Sequence, residues 1–172
     1  TMSKRDLKKY LTELNKNQLE LQVLELYEKF SDVKVYYDFV FNPKEDKLLG
    51  EAQLKIANEY FPIKGRKPKM RRSTSQKLIK HFISLGVDSF IIADIMLYNI
   101  EIAQSYSSKK TIYSDSFYKS MLNSFEQAIG FMIEKGNLYE FKPRVEKIKN
   151  QAISQQWVNK YEFEAIIERF EY

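Results

Sequence analysis

Apolar residues recur at three- and four-residue spacing along nearly the whole chain, and that period leaves room for little except helices. Leu19, Val23, Leu26, Tyr27 and Phe30 share one helical face, and Phe117, Met121, Leu122, Phe125, Ile129 and Met132 share another. Leu78, Ile79, Phe82, Ile83 and Leu85 follow the same spacing, as do Phe163, Ile166, Ile167 and Phe170. A β fold would need a turn signal about every 8–12 residues. Five glycines and four prolines over 172 residues cannot supply them. The fold expected is therefore all-α, an irregular bundle of eight or nine helices, with stacked helical hairpins as the other arrangement. No internal repeat is visible, which favours the irregular bundle.

Helix boundaries follow from capping chemistry. Ser3 with Asp6, and Asn15 with Gln18, have the spacing of a capping box, in which each side chain bonds the other's backbone N–H. They open helices at about 4–13 and from residue 16 onward. Ser31 is the expected cap of an aromatic-rich helix ending near Phe41. Asn42-Pro43 reads as an N-cap followed by proline at the first helical position, opening a helix that runs to about Tyr60. Ser73 with Gln76 predicts another cap, and Gly86 and Gly136 are placed to close helices in the left-handed conformation. Two further helices are expected near 143–155 and 159–170. A single domain over 1–172 results, with a basic loop at about 61–72 between two halves.

The stretch from Phe90 to Ala103 is apolar on nearly every face, as a helix enclosed by others should be. It contains Asp94, Asn99 and Glu101 and is shorter than the roughly 20 apolar residues that a bilayer requires. A core helix is expected there, and no membrane association. Lys4 and Arg5 lead into Asp6, Lys8 and Lys9 rather than into an apolar run, so no signal peptide is expected and the location expected is cytoplasmic.

Composition removes several chemistries. Without cysteine there is no disulfide framework, zinc ribbon or thiol nucleophile. One histidine, His81, cannot furnish the two Glu-x-x-His pairs of a ferritin-like dimetal centre, and it stands beside no catalytic motif. Gly65, within Lys-Gly-Arg-Lys-Pro-Lys, lacks the spacing and the preceding strand of a phosphate-cradling P-loop. No catalytic residue, cofactor or metal site is expected.

Charge supplies the strongest functional signal. Between Glu59 and Asp88 there is no acidic residue, and eight basic ones occur: Lys64, Arg66, Lys67, Lys69, Arg71, Arg72, Lys77 and Lys80. The formal net charge is +5, so the remainder of the chain is net negative and the basicity is local. Such a segment could follow a phosphate backbone or another polyanion, with Tyr60, Phe61 or Phe82 as stacking faces. The plainer reading is a solvated loop paired with acids elsewhere in the fold.

A second candidate lies on the central helix, where Asp94, Tyr98 and Glu101 fall at spacings of four and three and share a face. Buried together, the two carboxylates could serve acid–base chemistry or hold a divalent cation. Alternatively they form a hydrogen-bonded stripe paired with Arg or Lys of the basic segment. Trp157 and the many Tyr and Phe residues are read as core.

The segments at 3–11 (SKRDLKKYL), 36–43 (YYDFVFNP), 58–62 (NEYFP), 93–98 (ADIMLY) and 116–121 (SFYKSM) resemble a family of small bacterial proteins of unknown function. The resemblance spans the chain from Ser3 onward. It implies an all-helical domain, assigns no activity, and carries over no catalytic residues. Residues 3–29 also resemble the SAP type of DNA-binding helical hairpin, although Glu20, Glu25 and Glu28 on its second helix would repel phosphates.

Three functions remain open. A non-enzymatic binding or scaffold protein, working through a protein partner or self-association, leads. A nucleic-acid-associated protein using residues 64–80 follows. A metal- or acid–base-dependent enzyme using Asp94 and Glu101 comes last.

Overall fold

The computed structural model describes residues 1–63 and 65–170, and among them every regular element is a helix. Nine are present: α1 (Lys4–Thr12), α2 (Lys16–Lys29), α3 (Ser31–Phe41), α4 (Glu45–Tyr60), α5 (Arg72–Leu85), α6 (Ser89–Ser107), α7 (Asp115–Lys135), α8 (Leu138–Ser154) and α9 (Lys160–Phe170). The fold is the expected all-α bundle. The chain divides into two compact units, Thr1–Lys44 and Glu45–Tyr172, and the basic loop lies inside the second.

The first unit contains α1 to α3. Its caps form as the spacing predicts: Ser3 with Asp6 and Asn15 with Gln18 each make both bonds of a capping box. Gln18 N–H donates to Asn15 Oδ1 at 2.9 Å, and Asn15 N–H donates to Gln18 Oε1 at 2.9 Å. α2 packs on α3, where the rings of Tyr27 and Tyr37 meet edge-on with centroids 6.5 Å apart. Nevertheless no residue of α1, α2 or α3 is buried.

In the second unit α6 is the hub, packed by α4, α5, α7 and α8. Ala93, Ile95, Leu97, Ile100 and Ala103 on α6 are wholly inaccessible. This is the enclosure expected of a helix apolar on nearly every face, and each large side chain so buried contributes about 1.5–3 kcal/mol. Met121, Phe125 and Met132 of α7, Ile148 of α8 and Phe163 of α9 complete the core. The Trp157 ring lies among Phe117, Tyr118 and Phe163 at centroid distances of 5.4–5.7 Å. Its indole N–H donates to Ser107 Oγ at 3.3 Å. No helix among the described residues is long and apolar enough to cross a membrane.

Gly86 (φ 75°) and Gly136 (φ 71°) close α5 and α7 as the sequence predicts. In both, the following N–H also reaches back to close a Schellman motif, Val87 to the Phe82 carbonyl and Asn137 to the Met132 carbonyl. α8 ends with the same bonds around Gln156, whose φ is 56°. Composition could not flag that stop, because a side chain there replaces the usual glycine.

Three caps differ from expectation. Asn42 is the C-cap of α3, its N–H donating to the Asp38 and Phe39 carbonyls, and α4 starts three residues later at Glu45. Ser31 is already helical, with Phe30 before it providing no side-chain cap. Ser73 lies within the first turn of α5, whose N-cap position is Arg71.

Candidate functional site

The basic loop is held by the acid that precedes it. The Glu59 carboxylate, 6% exposed, accepts from Arg71 Nη2 and Nε at 2.8 and 3.1 Å, from Arg71 N–H at 3.1 Å and from Thr74 Oγ1 at 2.9 Å. Its backbone carbonyl accepts the N–H groups of Lys69 and Met70 at 3.1 and 3.0 Å. One residue at the end of α4 therefore ties down both the end of the loop and the beginning of α5. Met70 takes φ 50° to allow this, a left-handed conformation that costs a non-glycine residue about 1–2 kcal/mol. Burial pushes the Glu59 carboxyl upward, but the bonds from Arg71 and Thr74 and the guanidinium charge outweigh it, so the group lies below the usual glutamate value of 4.5.

Beneath, Tyr60 is buried, and that burial pushes its phenol up to about 12, with Glu59 adding to the rise and Arg72 opposing it. Phe82 is also buried, and Phe61 leans edge-on against Tyr106 with Lys109 Nζ 5.6 Å from its centroid. The rings considered as stacking faces are thus a buried tyrosine, a buried phenylalanine and a ring already covered by a cation. Helical period directs Tyr60 and Phe82 into the core, whereas Phe61, just past the end of α4, remains 40% exposed.

Of the eight predicted basic residues, Lys69, Arg71 and Arg72 line a groove of about 680 Å3 formed with α7. Arg66 and Lys67 are exposed on the loop, and Lys77 and Lys80 are exposed farther along α5. None of those four reaches the groove wall. Lys64 lies outside the described residues. Arg71 is neutralised by Glu59, whereas the Arg72 guanidinium donates to the Ser116 carbonyl in the first turn of α7. That bond brings the starts of α5 and α7 together at one end of the groove. α5 has no side-chain N-cap, so the positive end of its dipole adds to the field there.

The opposite wall was not anticipated. Ser116, Lys119, Ser120, Asn123, Ser124 and Gln127 of α7 line the groove, and Gln76 of α5 joins them. Apart from Lys119 they are uncharged, and among the described residues no Asp or Glu lines the groove. Asp115 is exposed in the first turn of α7 and stands off the wall. A signal existed in the sequence: positions 116, 120, 123, 124 and 127 fall on one face of an ideal helix over about 16 Å, opposite the apolar stripe. An ordinary solvated face would be expected to carry more Lys and Glu.

The Asp94, Tyr98, Glu101 face is only partly buried, and its partner comes from α8. Arg144 Nη2 lies 2.8 Å from Glu101 Oε2, and Arg144 Nη1 lies 3.4 Å from Asp94 Oδ1. A single guanidinium thus engages both carboxylates, and the partner is not from the basic segment. Burial raises the Tyr98 phenol, with the Glu101 charge adding to the shift. His81 is exposed on α5. Among the described residues no three His, Asp or Glu side chains are grouped to hold a metal ion.

Searches of curated proteins and of solved structures return no match to the chain. A model of one protein family, described as a family of unknown function (DUF6155), matches residues 2–171. The whole-chain resemblance noted from the sequence is therefore sound, and the chain belongs to that family.

Proposed function

We propose that this is a cytoplasmic, non-enzymatic binding protein that holds a phosphate-bearing anion in the groove between α5 and α7. A single observation carries the reading: Lys69, Arg72 and Lys119 line one groove that, among the described residues, has no carboxylate in its walls. Cations so placed have, among the described residues, no acidic partner in the groove to leave when an anion arrives, Arg72 being bonded to the neutral Ser116 carbonyl, and a guanidinium with two ammonium groups is well matched to phosphate. The field is strongest at the end where the two helices begin, as the N-terminal dipoles add to the side-chain charges.

The test is charge reversal with a salt series. Wild-type protein titrated with inorganic pyrophosphate and with a short nucleic acid, at low and at moderate salt, should bind at least one of them, with log affinity falling linearly against log salt. The triple variant Lys69→Glu/Arg72→Glu/Lys119→Glu should lose that binding and flatten the salt dependence. Binding that persists unchanged in the variant, or is absent from wild type at low salt, overturns the reading.

A second reading, self-association through α1–α3, is favoured by a separate observation. Leu21 and Leu24 on the same unit are 64% and 57% exposed, and Phe41 is 83% exposed. A helical unit this short gains little stability without covering such surface. Its charges suit a second copy: α1 carries Lys4, Arg5, Lys8 and Lys9, while α2 carries Glu20, Glu25 and Glu28, so a two-fold pairing can oppose unlike charges. Sedimentation velocity should show a concentration-dependent dimer that Leu21→Glu/Leu24→Glu dissociates. A monomer at all concentrations removes this reading.

A further inference from the structure

We propose that the ligand of the α5/α7 groove is a phosphorylated small molecule rich in hydroxyl groups, of the sugar-phosphate class. Its phosphate would lie at the Lys69, Arg72 and Lys119 end, and its hydroxyls would lie along Ser120, Asn123, Ser124 and Gln127. This inference rests on the anion-binding reading above and specifies what carries the anion.

The groove is uneven in charge. Its cationic side chains come from the segment leading into α5 and from the first two turns of α7, whereas the wall from Ser120 to Gln127 is neutral. Among the described residues, the side chains of Ser120, Asn123, Ser124, Gln127 and Gln76 have no hydrogen-bond partner within the protein. Hydroxyls and carboxamides both donate and accept, and so do the hydroxyls of a sugar. The non-bridging oxygens of a phosphodiester backbone only accept, and a groove that followed such a backbone would be expected to carry cations along its whole length. Single-stranded nucleic acid would also call for exposed rings, and among the described residues no aromatic one lines this groove. The volume of about 680 Å3 lies in the range of small-molecule sites. A ligand with one charged end and one neutral, hydroxylated body fits both halves of the groove at once.

Calorimetric titration of the full chain tests this, using inorganic phosphate, glucose, glucose 6-phosphate, ribose 5-phosphate and a short single-stranded RNA. At least one of the two sugar phosphates should bind about tenfold tighter than inorganic phosphate, since two or three neutral hydrogen bonds are worth that much, while glucose alone should not register. Asn123→Ala/Gln127→Ala should remove the tenfold gain and leave the affinity for inorganic phosphate unchanged, with an unaltered melting temperature showing that the fold is intact. Sugar phosphates that bind no better than phosphate, a gain that survives in the double variant, or RNA that outbinds every small ligand would each overturn the inference. If phosphate binds without any gain from the sugar, only this inference falls. If neither phosphate nor RNA binds, the anion-binding reading falls as well.

Discussion

The two compact units are built from the same kind of helix and differ in what those helices bury. In Thr1–Lys44 the capping boxes of α1 and α2 are complete, yet no residue of α1 to α3 is buried. In Glu45–Tyr172, α5 starts with no side-chain cap and α8 contains Pro143, yet these helices contribute to a core of wholly inaccessible side chains. Local helix signals and tertiary stabilisation are therefore separable in this chain. The first unit caps the starts of α1 and α2 from its own sequence, and the second is held by packing around α6.

That contrast can be broken most forcefully in the core. Phe125→Ala, which removes a wholly buried ring from α7, should cost about 3–5 kcal/mol in chemical denaturation. Leu24→Ala on the exposed surface of α2 should stay within about 0.5 kcal/mol. Equal losses from the two would mean that the first unit has cover that its surface does not show.

The next effect concerns the link between α4 and α5. Glu59→Ala leaves the Arg71 N–H and the Thr74 hydroxyl without their acceptor and should cost about 1–3 kcal/mol. Because the Glu59 carboxyl lies below its ordinary value in the folded chain, its contribution is fully present above the unfolded value of 4.5 and is lost as pH falls through the lower folded value. Stability measured against pH should therefore drop less steeply on the acid side in Glu59→Ala than in wild type. Identical acid limbs would show that Glu59 does not hold the loop.

The smallest effect belongs to the first unit. Asn15→Ala removes one capping box and should cost about 1 kcal/mol locally. Hydrogen exchange should register this as faster exchange in the first turn of α2, with the α6 amides unaffected, since opening of exposed elements is uncoupled from the core. Acceleration that spreads into α6 would show that the two units open together.

Most of the fold was legible because helix signals are local. Asn15 with Gln18, Gly86 and Gly136 each act within a few residues, and each does what its chemistry predicts. Asn42-Pro43 failed because the same asparagine can end one helix as readily as begin the next, and only the backbone bonds to Asp38 and Phe39 decide between them. The site was half legible. Charge counting identified the segment that supplies Lys69, Arg71 and Arg72, but not that Glu59 would neutralise one of them or that Arg66, Lys67, Lys77 and Lys80 would face elsewhere. The wall from Ser116 to Gln127 comes from a helix more than forty residues away in the chain, and neutral side chains carry no signal in a charge count. Similarly, Asp94 and Glu101 could be placed on one face of α6 from their spacing, but their partner Arg144 lies on α8, beyond what helical periodicity reports.

The claim at the centre of this account is that anions bind at the joined starts of α5 and α7, and nuclear magnetic resonance of the uniformly 15N-labelled chain titrated with pyrophosphate tests it most directly. Saturable shifts are expected in the backbone amides of Lys69, Arg72, Ser73, Ser116 and Lys119, with those of Lys77, Lys80 and the α1 lysines unmoved. Shifts centred on Lys77 and Lys80 or on α1, or no saturable shift at all, would contradict it.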